Sequence, residues 1–293
     1  MPSLIDIRRR IRSVRNTQQI TKAMKMVSAA KLRRAQDRVI AARPYSALLR
    51  QVLADVAAAA GSPGAAQEAD SEANPLLARR PEQRILLTLV TADKGLAGAF
   101  NSNLNKGALQ FIDEHKGASM TLELVGRKGR DFFRKRGAKI AGEQIGLPAQ
   151  VPYSEAAAIA QSAMDLYRRE EIDAIYLLYN EFKSVMSQRF TVRKVLPIDL
   201  SAGREEAAPV PYIFEQPPEA MLNDLLPRYV EMEFYEALLE STAAEHAARM
   251  TAMDAATSNA SEMIDKLTLH LNRVRQASIT KEIIEVVSGA AAQ

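Results

Sequence analysis

Residues 250–274, MTAMDAATSNASEMIDKLTLHLNRV, decide the fold. Met250, Met253, Thr257, Ala260, Ile264, Leu267, Leu271 and Val274 recur at alternating steps of three and four. That is a heptad seam, which buries one narrow stripe against a helix lying alongside. No proline or glycine falls between Arg228 and Ser288, so no strong breaker interrupts the segment. From about Pro217 to Gly289 the spacing predicts a rod on the order of 100 Å long, at about 1.5 Å per residue. A core built from this chain is far smaller than that, so the rod must project from it.

The partner helix lies at the other end of the chain. Ser3 with Asp6 three residues on reads as an N-terminal capping box. Leu4, Ile7, Ile11 and Val14 follow at heptad steps, and Ile20, Met24 and Val27 continue the stripe after a slip of one residue. Leu32, Ala35, Val39 and Ala42 carry it on to about Ala60, with a kink or break expected at Pro44. Two narrow-faced helices at opposite ends of one chain pair most simply as an antiparallel coiled coil.

The middle reads as α/β. Arg84–Thr91 (RILLTLVT) is a continuous apolar run, as expected of a strand covered on both faces. A turn at Asp93–Gly98 leads to a helix capped by Asn101 and running from about Ser102 to Glu114. A strand at Thr121–Val125, a helix at Lys128–Arg136 and a short strand at Ala138–Ala141 come next, then a helix capped by Ser154 and running through Arg169. Ala174–Tyr179 and Arg189–Leu196 read as strands able to pair as a meander. The expected architecture is therefore a long antiparallel coiled coil of the N- and C-terminal helices plus a small Rossmann-like three-layer α/β domain. Its parts are an N-terminal helix over 1–60, a linker over 61–81, the α/β domain over 82–216 and the C-terminal helix over 217–293.

Composition agrees. The chain has 293 residues, of which 47% are hydrophobic and only 5% aromatic, enough for one medium core and a coiled coil. It has no cysteine, which excludes disulfides, thiolate metal sites and a cysteine nucleophile. No run of 18 apolar residues is present to span a bilayer. The charged first helix lacks the apolar region of a secretory signal, and its heptads favour mature structure over a transit peptide. Residues 1–50 hold 13 Lys or Arg against Asp6 and Asp37, a net +11 that leaves −7 for the remainder of a +4 chain. Arg8, Arg9, Arg10, Arg12 and Arg15 oppose the helix dipole at their own N-terminus, so local energetics do not explain them. Both a solvated helix face and an acidic partner (nucleic acid, anionic lipid or a carboxylate-rich protein surface) stay open.

No catalytic constellation stands out. Gly95 and Gly98 follow the first strand where a doubly wound fold would cradle phosphate. Neither G-x-G-x-x-G nor the lysine-bearing phosphate loop is present, so a tight strand-to-helix turn is the expectation. His115, His246 and His270 lack metal-ligand spacing and read as solvated or capping residues. The sequence predicts no cofactor, no metal and no active site. A basic coiled-coil nucleic-acid-binding or scaffolding protein, and a nucleotide-dependent enzyme, remain as alternatives.

Several stretches resemble the gamma subunit of rotary F-type ATP synthases of the bacterial type. They are Ile20–Leu32 (ITKAMKMVSAAKL), Asp93–Gly98 (DKGLAG), Glu245–Met250 (EHAARM) with Ala255–Thr257, Arg275–Glu282 (RQASITKE) and Glu285–Ala291 (EVVSGAA). The resemblance runs in order over nearly the whole chain. Ala97 departs from the cysteine many relatives carry, and no cysteine-bearing insertion precedes the final helix, so the redox switch of the chloroplast form is not expected. The resemblance implies a central shaft, without catalysis of its own, turning inside a ring of alpha and beta subunits and coupling that ring to a membrane rotor ring of c subunits. It implies an epsilon subunit as a further partner, no nucleic acid and no direct membrane insertion. The expected location is the cytoplasmic face of a bacterial inner membrane, as a peripheral protein. By the same resemblance Met24, Lys25, Arg249, Arg275, Gln276, Thr280, Ile283 and Val287 are subunit-contact residues. Lys22 and Lys25 are expected to flank the stripe and face the acidic surface of the beta subunits. The apolar tip, including the alanines beyond Gly289, is expected to turn in an apolar sleeve.

Overall fold

A computed structural model describes residues 4–59, 74–148, 150–199 and 215–291. The Ser3 cap, linker residues 61–73, loop residues 201–214 and the side chains beyond Gly289 lie outside the described residues. Ten elements follow in order: α1 (Leu4–Ala59), β1 (Arg84–Val90), α2 (Phe100–Glu114), β2 (Ser119–Val125), α3 (Arg127–Arg134), β3 (Ile140–Gln144), α4 (Tyr153–Arg168), β4 (Ala174–Phe182), β5 (Gln188–Leu196) and α5 (Pro218–Ala291). The chain divides into two compact units. One is Met1–Ala29 with Arg249–Gln293, the other Ala30–Ala248.

The first unit is a helix pair. The Thr21 and Thr257 hydroxyls share a hydrogen bond of 2.8 Å, and the Lys25 ammonium lies 2.6 Å from the Asp254 carboxylate. Rising numbers on one helix meet falling numbers on the other, so the pair is antiparallel. On α5 every residue of the expected seam from Met250 to Val274 is buried or half-buried. On α1 the inward positions are Leu4, Ile7, Ile11, Val14, Gln18, Thr21, Lys25 and Ser28, in unbroken three–four alternation. The slip expected at Ile20 does not occur. Ile20 and Val27 are 60% and 57% exposed, and the seam passes through hydroxyl residues instead. The two threonine hydroxyls have carbonyl acceptors on their own helices, Gln18 for Thr21 and Met253 for Thr257, and the one that donates to the other threonine forgoes its own carbonyl.

The second unit is a five-stranded sheet in the order β3-β2-β1-β4-β5. The β1–β2, β1–β4 and β2–β3 pairs are parallel, while β5 is antiparallel to β4, as the meander reading expects. Helices cover both faces. Leu86, Val90, Ile175, Leu177 and Tyr179 pack against Leu53 and Val56 of α1, Ile159 and Ala163 of α4, and Leu226, Val230 and Phe234 of α5. On the other face the Phe111 ring of α2 lies 4.9 Å from that of Tyr176, and Gly129 of α3 packs under Leu89. Ile85 through Val90 are all buried, which is why that strand reads as an unbroken apolar run.

Several local expectations need correction. Of the kink or break expected at Pro44, the break does not occur: α1 continues through it, and α5 likewise contains Pro227. The carbonyl that Pro44 leaves without a donor is that of Ile40, itself exposed, so it can bond to water. Asn101 lies inside α2, where its side-chain oxygen accepts the Ala92 N–H. Pro152, not Ser154, precedes the first turn of α4, using a residue whose missing N–H costs nothing there. β3 begins at Ile140 instead of Ala138, because Ala138 still closes the turn that ends α3 by bonding to the Phe133 carbonyl.

Candidate functional site

The doubly wound sheet has a switch point between β1 and β4, where such folds take ligands at the carboxyl ends of the strands. Here that edge is tied by the chain itself. After β1, the Asp93 carboxylate accepts the Arg127 N–H at 2.9 Å with one oxygen and the Gly146 N–H at 2.8 Å with the other. The Thr91 hydroxyl accepts the Gly129 N–H, and the Ala92 carbonyl accepts that of Lys128. The amides that open α3 are thus satisfied internally. Gly126, at φ +90°, has room only for hydrogen, since a Cβ would stand 2.1 Å from the Thr91 carbonyl oxygen. At β4 the Glu240 carboxylate of α5 accepts the Phe182 N–H at 2.8 Å, and next to it the Ser241 hydroxyl approaches the Val90 carbonyl. The carboxyl ends of β1 and β4 are therefore both bonded to a helix of the same chain.

The histidines are dispersed. His115 closes α2, its Nδ1 2.9 Å from the Phe111 carbonyl and its ring stacked on the Phe111 ring. His270 is exposed, whereas His246 is buried inside the unit and not solvated as expected. Among the described residues no group of three or more His, Cys, Asp or Glu is placed to hold a metal ion.

Sequence reasoning missed an ion-pair network that joins α1, α5 and the β4–β5 hairpin. Arg43 meets Glu240 at 2.9 Å and also donates to the Phe182 carbonyl. Arg50 donates to Glu233 and Glu236, and Arg193 of β5 meets Glu233 at 2.7 Å. Burial pulls the Arg193 guanidinium down, but Glu233 and its neighbours outweigh it and leave its pKa above the ordinary value. Arg50 is raised for the same reasons, burial opposing and Glu233 and Glu236 prevailing. The signal was present: Arg43 and Arg50 are seven apart, and Glu233, Glu236 and Glu240 follow at steps of three and four. Only the fold pairs them.

The expected contact residues fall in two places on the helix pair. Lys25 is a half-buried member of the seam with half-buried Met24 beside it, and Arg249 is buried near the start of the paired segment of α5. Lys25 is held by Asp254 instead of standing clear of the stripe, while Lys22 is exposed. Arg275, Gln276 and Thr280 are exposed, and the Thr280 hydroxyl bonds to the Gln276 carbonyl. Ile283 and Val287 are 57% and 62% exposed, beyond Ser278, the last half-buried seam position among the described side chains. Ile279, Ile284 and Val286 are exposed with them. A second apolar group, Ile20, Met26 and Val27, is exposed on α1.

A protein-family model described as ATP synthase matches residues 3–293. The ATP synthase gamma chain of Solibacter usitatus is 70% identical over 292 residues, covering 100% of this chain and 99% of that one. That of Pelotomaculum thermopropionicum is 50% identical with the same coverage. Among solved structures, a chain of the central stalk and c-ring of the Tetrahymena thermophila mitochondrial ATP synthase is 26% identical, with a TM-score of 0.62 over 81% of this chain and 99% of that one. A chain from the Euglena gracilis mitochondrial ATP synthase shares the fold at a TM-score of 0.69 and 18% identity, covering 99% of this chain and 94% of that one. The chain belongs to the ATP synthase gamma chain family.

Proposed function

We propose that this chain is the central shaft of a rotary ATP synthase, seated in a ring of alpha and beta subunits and driven by a membrane rotor ring, with catalysis on the ring and none of its own. The observation that carries the reading is the end of α5. Past Ser278 its apolar residues Ile279, Ile283, Ile284, Val286 and Val287 are exposed and have left the seam. An apolar tip makes non-directional contacts, so it can turn in an apolar sleeve without locking at one angle. An antiparallel helix pair supplies the stiffness that a shaft needs. Ile20, Met26 and Val27 offer a second contact patch beside Met24 and Lys22, and the arginines of the first turns would face carboxylate-rich surfaces of the ring. The shaft acts by binding each ring conformation with a different energy at each angle. No helix among the described residues is long and apolar enough to cross a membrane, so attachment would run through the rotor ring, at the cytoplasmic face of a bacterial inner membrane, with an epsilon subunit alongside.

Affinity purification of the tagged chain from its native membranes tests the reading. A stoichiometric ATPase complex that pumps protons is the expected result. A lone chain, retained on duplex DNA with a steep salt dependence, would overturn it.

A further inference from the structure

Helix α3 and the turn after it, Arg127–Lys139 (RKGRDFFRKRGAK), hold seven basic residues against one acid, Asp131. Gly129 and Phe133 are the buried side of the helix. At about 100° per residue, Arg127, Lys128, Asp131, Arg134 and Lys135 share the opposite arc, and the four basic members are exposed. Arg136 and Lys139 extend the exposed surface beyond the helix. Two of the seven are engaged by carboxylates, Arg130 by Asp131 at 2.7 Å and Arg134 by Glu143 at 3.1 Å. The Arg136 guanidinium lies 3.6 Å from the centre of the Phe132 ring, which holds it at the surface. Nothing in the fold calls for this charge: the amides that open α3 are satisfied by Asp93, Ala92 and Thr91, and the buried face is apolar.

We infer that the outward face of α3, with Arg136 and Lys139, is a docking surface for the anionic phospholipid headgroups of a bilayer. Its chemistry is an array of separate exposed cations spread over a helix face, which suits an extended layer of phosphates better than one compact ligand. Apolar side chains accompany the charge. Leu96, held at φ +62°, is 61% exposed in the turn whose Gly95 abuts the Lys128 side chain, and Phe132 is half-exposed. Basic residues interleaved with a few exposed apolar ones bind anionic interfaces through both attractions. The inference rests on the shaft reading, which brings the chain beside a membrane. The two fail separately, since co-purification tests the shaft and lipid binding tests the patch.

The test is sedimentation of the full-length chain with phosphatidylcholine vesicles prepared with and without phosphatidylglycerol. The wild type is expected to sediment only with the anionic vesicles. Changing Arg127, Lys128, Lys135 and Lys139 together to Gln is expected to lower that partition at least a hundredfold, at about fivefold per charge. Changing Lys31, Arg33, Arg34 and Lys106, equally exposed, to Gln removes the same charge elsewhere and is expected to cost less than tenfold. All eight side chains are exposed, so both variants should keep the wild-type circular dichroism spectrum and melting curve. Equal losses in the two variants would mean a general charge effect and overturn the proposal. So would a wild-type chain that ignores anionic vesicles yet loses retention on DNA with the α3 substitutions, which would make the patch a nucleic-acid surface.

Discussion

The Glu240 carboxylate of α5 accepts the Phe182 N–H at the end of β4 while pairing with Arg43 of α1. One side chain, 2% exposed as a residue, thus ties both long helices to the sheet at its switch point. Glu240→Ala leaves a buried N–H without an acceptor and Arg43 without its carboxylate. The expected loss is about 2–4 kcal/mol in urea unfolding of the purified chain. Glu240→Gln keeps an acceptor for Phe182 and should cost less than half of that. Equal losses would mean that the backbone bond contributes little.

Gly126 tests the strand-to-helix turn in the same way. At φ +90°, with the Thr91 carbonyl oxygen where a Cβ would go, Gly126→Ala must move backbone. It should destabilise by about 2 kcal/mol or more. Gly117 has open space around it and no positive φ, so Gly117→Ala should be neutral or slightly stabilising. Thermal melts of the two variants make the comparison, and matching melting temperatures would count against the crowding at Thr91.

Glu123 gives the chain a pH dependence. It is buried on β2, with its carboxylate over Gly142 of β3, and burial pushes its pKa from 4.5 up to about 7. Its proton is therefore bound more tightly in the folded state than in the unfolded one. Below pH 4.5 both states hold it and the group contributes nothing to the balance. Between 4.5 and about 7 the unfolded state ionises first, so stability falls as pH rises, by on the order of 3 kcal/mol in all. Glu123→Gln should flatten that fall and be the more stable protein at pH 8. Parallel urea titrations across this range decide it, and unchanged slopes would place the carboxylate in contact with water.

How far the sequence could be read depended on what each residue had to satisfy. β1 was legible because helices cover both its faces, so every residue from Ile85 to Val90 is buried and all but Thr88 are apolar. The α5 seam was legible because its members are mostly apolar. The α1 seam misled at Ile20 and Val27, where equating apolar with inward fails. Thr21 and Ser28 take the inward positions, and the leucine-sized residues face out, where the shaft reading needs contacts. The Arg43, Arg50 and Arg193 pairings were illegible, because charges at heptad spacing look the same on a solvated face and on one buried against another helix. Likewise Asn101 reads as a cap in any strand-to-helix turn. Only the neighbouring Ala92 N–H makes it a tie within the turn.

The tip of α5 separates stability from function. Ile283 and Val287 are exposed beyond the seam, and they lie on one side of the helix, four residues apart. In the isolated chain, replacing both with Ser removes side chains already facing water. Unfolding free energy should then stay within about 0.5 kcal/mol of wild type. In the assembled complex the same residues would fill an apolar sleeve. Removing two such side chains from a buried contact forfeits about 1.5–3 kcal/mol each, enough to lower the yield of intact complex by an order of magnitude or more at limiting ring concentration. Gln276→Leu, on the exposed surface one turn before the tip, should instead leave assembly intact and slow ATPase turnover, if its amide meets polar loops of the ring. Measuring chain stability, complex yield and turnover on the two variants keeps these outcomes apart. A tip variant that assembles and turns over like wild type would show that the exposed apolar end of α5 is not seated in the ring.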